Sequence, residues 1–182
     1  MSYVWLIVLA VVVLFVILIY NGLVQKRMAV KNMWSNISTQ LQRRYDLIPN
    51  LVDTVKGYAS HEKDIFEKVA QLRSSFQSAT SVGEVGKIEG QMQSVLGRLF
   101  AVSENYPDLK ASQNFMMLQE ELVGTENKVA YSRQGYNNAV MTYNTSIHKF
   151  PAVIFANMFG FKEEEFFEVE SEEVKEAPKV KF

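Results

Sequence analysis

The sequence predicts an all-α protein, in which an N-terminal transmembrane helix is followed by an antiparallel, up-and-down four-helix bundle with long helices. The first observation is the apolar run from Tyr3 to Tyr20, which contains no charged residue, Gly or Pro. At about 1.5 Å per residue, a helix of this length crosses the hydrocarbon core of a bilayer. The second observation is that apolar residues after the run recur every three or four positions, which is the spacing of one helix face. No part of this region shows the period-two alternation of a half-buried strand.

Residues 1–21 are interpreted as a membrane anchor with a single span. Tyr3, Trp5 and Tyr20 lie towards the ends of the apolar run, where aromatic side chains anchor at the lipid headgroups. The alternative is a cleaved secretory signal, which needs a basic region before the apolar run and small residues at a cleavage site. The sequence has neither feature around the run. We therefore expect a retained anchor in contact with membrane lipid.

The charges beside the anchor predict its orientation. Lys26, Arg27 and Lys31 follow the span closely, and basic residues tend to remain on the cytoplasmic side of a membrane. We therefore expect residues 22–182 on the cytoplasmic side, although a signal-anchor arrangement would reverse this direction. The absence of Cys fits either compartment.

Residues 22–150 are expected to form the helical bundle domain, because four apolar stripes cover them. Trp34 lies in the middle of the first stripe and is expected to be buried. The stripes are separated by polar or Pro-containing breaks. The first break is the weakest, since a Pro can also kink a helix that continues, so three long helices are the alternative to four. The breaks fall at Asp46–Pro49, Ser78–Gly83 and Asn105–Asp108, and Phe150-Pro151 ends the last helix.

Residues 151–161 are expected to form an apolar interface or capping segment. If four helices alternate in direction, the last one returns to the membrane and Phe150 lies close to it. The segment is too short to span a bilayer. It therefore either enters the membrane interface, or closes the end of the bundle or packs on a neighbouring subunit. The residues expected to make this contact are Phe150, Ile154, Phe155, Met158, Phe159 and Phe161.

Residues 162–182 form an acidic tail with eight Glu against four Lys. A high charge with few apolar residues predicts disorder in an isolated chain, and contact with neighbouring subunits is the alternative that would order the tail. The rest of the chain is slightly basic, and its charges alternate in sign along the sequence. This pattern argues against nucleic-acid binding.

Four polar residues, Arg43, Arg44, Asp46 and Asn50, lie close together in the sequence and have two interpretations. In the first they form a structural clasp, in which Asp46 accepts hydrogen bonds from the amides that open the second helix. An Arg would then pair with a carboxylate of a neighbouring helix. In the second they bind an anionic ligand or a partner, because paired Arg side chains and a helix N-terminus attract negative charge. We favour the clasp.

The remaining polar residues predict no enzymatic activity, no cofactor and no metal site. His61-Glu62 resembles the start of a zinc-protease motif, but that motif needs a second His at position 65, which is Ile. The Glu-x-x-His pairs of di-iron bundles are also absent from the sequence. Asn137 and Asn144 lie seven residues apart, and we expect them to fix the register of the helices through buried hydrogen bonds.

Several polar motifs occur around the predicted breaks. They are YN-x-LV (Tyr20 to Val24), WS-x-I (Trp34 to Ile37), QL-x-RRYDLIPNLV-x-TVKGYA-x-HE (Gln40 to Glu62), GTEN-x-x-A (Gly124 to Ala130), YN-x-AV (Tyr136 to Val140), YN-x-x-I-x-x-FP (Tyr143 to Pro151) and FGF (Phe159 to Phe161). In this order the motifs resemble those of the LemA family, and the resemblance covers residues 20–161. It implies a bacterial, membrane-anchored protein whose soluble part is an antiparallel four-helix bundle. It implies no agreed biochemical activity, since members of the family are tied to envelope functions and, in one branch, to magnetosome formation.

Anchor, bundle and resemblance together predict a non-enzymatic assembly or scaffold module in the inner membrane of a bacterial cell envelope, where it binds other copies of itself. The alternative is an adaptor or regulator of another envelope protein, such as a membrane protease. A large, homogeneous homo-oligomer would favour the scaffold. A monomer that co-purifies with a distinct protein would favour the adaptor.

Overall fold

The computed structural model describes residues 2–169, with side chains from residue 3 onward. Within these residues the chain forms helices and no strand, so the all-α prediction is confirmed. The helices are α1 (Ser2–Lys56), α2 (Lys63–Ser78), α3 (Val82–Ser103), α4 (Pro107–Lys110), α5 (Gln113–His148) and α6 (Ala152–Met158).

Helix α1 runs without a break from the apolar span to Lys56, which corrects the predicted helix boundary at Asp46–Pro49. Pro49 lies inside α1, where its ring removes one backbone donor but does not end the helix. The chain leaves the helix after Lys56, and α2 begins at Lys63. Because this later connection replaces the predicted one, four helices of at least 16 residues remain.

The described chain divides into two compact units, to which α1 and α5 both contribute. We call the first the anchor unit, because it contains the apolar span. It combines the described part of Met1–Ser38 with Tyr131–Phe166. We call the second the core unit, and it combines Thr39–Ala130 with the described part of Phe167–Phe182.

In the anchor unit, α1 and α5 run antiparallel. The Lys26 ammonium group donates a hydrogen bond to Ser146 Oγ at 2.7 Å. Further along α1, the Trp34 ring lies 5.5 Å from the Tyr136 ring. Rising residue numbers on α1 thus pair with falling numbers on α5. Trp34 is half-buried rather than fully buried as expected, because it sits at the edge of the contact. The buried side chains between the two helices are Leu23, Val30, Ile37, Tyr136, Val140, Tyr143 and Ile147.

The core unit contains a hydrophobic cluster to which five helices contribute. The rings of Tyr45 and Phe76 stack within this unit, with their centroids 3.9 Å apart. Helix α3 begins with a capping box, in which Ser81 Oγ accepts from the Glu84 amide and the Glu84 carboxylate accepts from the Ser81 amide. The buried members of the cluster include Ile48, Leu51, Val55, Ile65, Val69, Leu72, Met92, Leu99, Leu109, Phe115 and Leu122.

Residues 162–169, here called the C-terminal segment, correct the expectation that disorder begins at residue 162. They have no regular secondary structure, yet Phe167 is buried and Glu164 is bonded through both its side chain and its backbone. Composition alone predicts disorder here because it does not register specific hydrogen bonds to the backbone. The remainder of the predicted tail, residues 170–182, lies outside the described residues.

Candidate membrane contact and buried ion cluster

The apolar span presents its side chains outward along its whole length. From Tyr3 to Tyr20 almost every side chain is exposed, including the three aromatic residues expected at the headgroups, Tyr3, Trp5 and Tyr20. Among the described residues, α1 is the one helix that is long and apolar enough to cross a membrane by length and composition. Leu23 is the first fully buried residue in the described part of α1 and lies only three residues after Tyr20.

Two Phe rings of the predicted interface segment contact the end of this span. The Phe159 ring lies 5.1 Å from the Tyr20 ring and the Phe161 ring lies 5.6 Å from it, both in edge-to-face geometry. This is a favourable arrangement for aromatic pairs. The segment that follows α5 is therefore placed beside the last residue of the apolar run.

The end of α6 explains how both rings reach Tyr20. Gly160 has a φ of 72°, a left-handed conformation that Gly adopts without steric cost. The Gly160 amide donates to the Asn157 carbonyl and the Phe161 amide donates to the Ala156 carbonyl, at 3.3 and 2.9 Å. This pair of bonds is the Schellman arrangement that closes a helix with Gly just after its end. The chain turns sharply there, so residues on both sides of Gly160 face Tyr20.

Helix α6 packs through one side and leaves the other uncovered. Ala156 is buried, and Phe155 and Phe161 are half-buried. The remaining residues named as interface contacts are exposed: Phe150 at 81 %, Ile154 at 56 %, Met158 at 64 % and Phe159 at 46 %. The structure thus brings the predicted contact residues together on one short segment, with their apolar surface largely open.

Side chains of α5 hold the C-terminal segment in place through hydrogen bonds to its backbone. Tyr143 donates its hydroxyl hydrogen to the Lys162 carbonyl at 2.9 Å, and Tyr136 donates to the Glu165 carbonyl at 2.7 Å. The Asn144 side chain donates to the Glu164 carbonyl and accepts from the Glu164 amide. This residue therefore binds the C-terminal segment, where we had expected a register contact between helices.

Ion pairs also hold the C-terminal segment against α1 and α5. Arg27 Nε lies 2.9 Å from Glu164 Oε1, and the His148 ring lies 3.2 Å from a Glu163 carboxylate oxygen. Burial, with the nearby carboxylates of Glu164 and Glu165, raises the pKa of Tyr136 to about 12. The Tyr136 hydroxyl therefore keeps its proton, and with it the donated hydrogen bond, at neutral pH.

The four residues of the predicted clasp do not form one site. Arg44 is buried in the core unit, whereas Arg43, Asp46 and Asn50 are exposed. Asp46 lies inside α1 and accepts a hydrogen bond from the Gln42 side chain at 2.9 Å, so its predicted role at a helix start is wrong. Its position within a continuous helix explains this, because no free amides open there.

Arg44 lies between carboxylates of two other helices. It pairs with Glu89 of α3, which is also buried, and with Glu126 of α5 at 2.5 Å. Burial and the neighbouring Glu89 charge raise the pKa of the Tyr45 hydroxyl. By contrast, Arg43 pairs with Glu121 at 2.6 Å on the exposed side of the same unit. The arrangement of Arg44, Glu89 and Glu126, here called the buried ion cluster, links α1, α3 and α5.

The described side chains do not assemble a metal site. Within residues 3–169, no three His, Cys, Asp or Glu side chains are grouped so that they could hold a metal ion. His61 and Glu62 lie in the connection between α1 and α2, whereas the zinc-protease motif that they resemble lies on a helix. The sequence signal that was missed here is Gly57, which directly follows the basic residue at the end of α1.

Comparison with known proteins gives a consistent result. The model of the LemA family matches residues 33–182. The chain is 30 % identical over 175 residues to magnetosome protein MamQ 1 of Paramagnetospirillum magneticum, covering 82 % of this chain and 64 % of that protein. It is 28 % identical over 132 residues to protein LemA of Metamycoplasma hominis, covering 71 % of this chain and 60 % of that one. The chain therefore spans less than two thirds of the length of these relatives.

The match of the family model includes α1 from residue 33 onward, the helices α2 to α6 and the C-terminal segment, and therefore all three residues of the buried ion cluster. The order of motifs from Tyr20 to Phe161 resembles the same family. Since the family model covers most of the sequence, this chain belongs to the LemA family.

Proposed function

We propose that this protein is a membrane-anchored, non-enzymatic assembly module of a bacterial cell envelope. In this proposal the apolar span crosses the inner membrane, residues 22–182 lie on the cytoplasmic side, and the helical surfaces bind other copies of the chain. The observation that carries the proposal is the continuity of α1 in the anchor unit, where Tyr20 ends the apolar run and Leu23 is already buried.

Continuity matters because it leaves no linker between the membrane and the packed helices. A helix that leaves the bilayer and enters a helical contact within one turn holds the anchor unit against the membrane surface. Copies held in this way share one orientation and a two-dimensional space, which raises their effective concentration for one another. This supports an assembly role more directly than a role that requires a freely moving domain.

The use of charged residues supports a non-enzymatic role. The Arg of the buried ion cluster is engaged by two carboxylates, and Arg27 is engaged by Glu164. In both cases the charges stabilise contacts between elements of the fold. Enzyme sites instead leave titratable groups facing a cleft. The relatives named above are also not named for a catalytic activity.

The mass of the full chain in detergent and in native nanodiscs tests the assembly role. We expect a homogeneous oligomer whose mass persists when the membrane is extracted without detergent. A monomer that co-purifies with one distinct envelope protein would replace the proposal with the adaptor or regulator role. A monomer without any companion would contradict both.

The orientation can be tested separately because the chain contains no Cys. Tyr131 is 80 % exposed, so Tyr131→Cys introduces an accessible thiol on α5. If the bundle is cytoplasmic, a membrane-impermeant maleimide labels this thiol only after the cells are lysed. Labelling of intact cells to the same extent would mean that the bundle lies on the outer side of the membrane.

A further inference from the structure

We propose that residues 150–161 form a second membrane contact, in which exposed apolar side chains enter the boundary between lipid headgroups and acyl chains beside the anchor. The inference rests on the proposed anchoring of the span and adds a lipid-binding surface to it. We call this surface the α6 patch and define it by Phe150, Ile154, Met158 and Phe159.

The position of the α6 patch is the first step. Tyr20 is the last residue of the apolar run, and an aromatic residue at this place lies at the headgroup level of a spanned membrane. Phe159 and Phe161 contact the Tyr20 ring at 5.1 and 5.6 Å. A segment in ring contact with a residue at the membrane boundary is itself within a few ångströms of that boundary.

The direction of the exposed side chains is the second step. Ile154 and Met158 lie four residues apart within α6, which places their side chains on one side of that helix. Both are exposed, whereas Ala156 between them is buried, and Phe150 adds an exposed ring in the turn before α6. The helix therefore has one packed side and one open apolar side, as expected for a helix that lies in a membrane interface.

The charges at both ends of the segment are the third step. Lys149 precedes Phe150 and Lys162 follows Phe161, and both lysines are exposed. Lysines that flank an apolar stretch can extend their ammonium groups to headgroups while their alkyl chains stay in the boundary. A basic residue near a surface of anionic lipid is attracted to the headgroups. The two lysines thus flank the α6 patch, as expected of a segment at a lipid surface, and three glutamates, Glu163 to Glu165, follow the second lysine.

The site can be probed at Ile154, whose exposed side chain can be replaced without disturbing the packed side of α6. Ile154→Cys in the full chain is labelled with a fluorophore and reconstituted at one copy per nanodisc. The nanodiscs contain phosphatidylcholine and phosphatidylglycerol, with or without lipids that carry a quenching nitroxide, either near the headgroup to reach Ile154 or midway along an acyl chain to reach the control position in the span. One copy per disc removes neighbouring subunits as an alternative occupant.

Two matched variants calibrate the result. Tyr131→Cys carries the label at another exposed position of the anchor unit, separated from His148 along α5 by roughly 25 Å at 1.5 Å per residue. Leu9→Cys carries it inside the apolar span. Circular dichroism of each labelled protein verifies that the helices are intact.

For a side chain that enters the boundary by about 5–10 Å, we expect quenching at Ile154 to exceed quenching at Tyr131 by about threefold or more. Equal quenching at the two positions, with strong quenching at Leu9, would overturn the lipid contact and leave the anchor intact. If the label at Ile154 is protected from the nitroxide lipids only when a disc holds several copies, the α6 patch is a contact between subunits. Absence of quenching at Leu9 would instead contradict the proposed anchoring.

Discussion

In the core unit, five helices share a hydrophobic cluster and three of them are joined by the buried ion cluster. The anchor unit has fewer layers, since two long helices pack against each other and the C-terminal segment covers them through hydrogen bonds from Tyr136, Tyr143 and Asn144. The first unit depends on apolar burial from many elements. The second depends on a few polar contacts to a segment without regular structure.

This difference predicts different responses to mutation. Removing an interaction of the core unit should reduce the free energy of unfolding, because many buried side chains depend on the same packing. Removing a contact of the C-terminal segment should open that segment locally, since segments without regular structure that are held by few bonds belong to the least stable parts of a protein. The proposed membrane contact lies on the anchor unit, where such local opening would occur.

Arg44→Met is expected to have the largest effect. It leaves the Glu89 carboxylate buried without its Arg partner and also removes the pair with Glu126. Removing one partner of a buried ion pair costs about 3–5 kcal/mol. The free energy of unfolding of the full chain in detergent, followed by far-UV circular dichroism during denaturation, measures this loss.

Two further variants control for the position and the charge. Arg43→Met breaks the exposed pair with Glu121 and should cost less than about 1 kcal/mol. Combining Arg44→Met with Glu89→Leu should recover much of the loss, because a buried pair replaced by apolar side chains is often neutral. Equal costs for Arg44→Met and Arg43→Met would mean that the buried ion cluster does not stabilise the core unit.

Gly86→Ala tests whether the C-terminal segment also contributes to the core unit. A Cβ at Gly86 would overlap the backbone carbonyl of Glu168, and overpacking of this kind costs about 1–3 kcal/mol. Gly97 lies on the same helix with no atom within 4 Å of an added Cβ. Gly97→Ala should therefore stabilise the protein by up to about 1 kcal/mol through helix propensity. If both variants stabilise the protein equally in denaturation experiments, Glu168 does not pack on Gly86.

A smaller effect is expected from Tyr136 at high pH. Its pKa is raised to about 12 from the ordinary value of 10.0, so its stabilising contribution is complete below pH 10 and is lost as the pH rises towards 12. Tyr136→Phe removes one hydrogen bond and should cost about 1 kcal/mol at pH 9. The difference in unfolding free energy between wild type and this variant should shrink at pH 11. A difference that grows at pH 11 would contradict the raised pKa.

Much of the fold could be predicted because its helices follow regular apolar patterns. The fourth apolar stripe was predicted from Phe115 to Phe150. Up to Ile147 it lies within α5, and Leu122, Tyr136 and Val140 are buried as its spacing indicates, whereas Phe150 lies beyond the helix and is exposed. The boundary at Pro49 was wrong because packing on both sides holds a helix together despite the missing donor. Gly57 marks the true end of the helix, but Gly57 and Pro49 can each indicate a helix end, and the sequence alone does not show which of them does.

The site could be predicted less completely, since it depends on contacts distant in sequence. The segment from Phe150 to Phe161 is recognisable as apolar by composition alone, and its role as a membrane or subunit contact stays a prediction. The contact of Phe159 with Tyr20 required the antiparallel course of α1 and α5, which periodicity does not fix. Likewise, nothing in the pattern around Asn144 indicates that its partner is the backbone of Glu164 rather than another helix.

Hydrogen exchange on the full chain in nanodiscs tests most directly whether the two units depend on different interactions. The variant is Asn144→Ala, which removes both hydrogen bonds to the Glu164 backbone, and Thr145→Ala is the exposed control on the same helix. We predict faster exchange of the amides of residues 162–166 in the Asn144 variant, with unchanged exchange in Thr39–Ala130. Equally faster exchange throughout the chain would contradict the account, because it would mean that both units unfold as one.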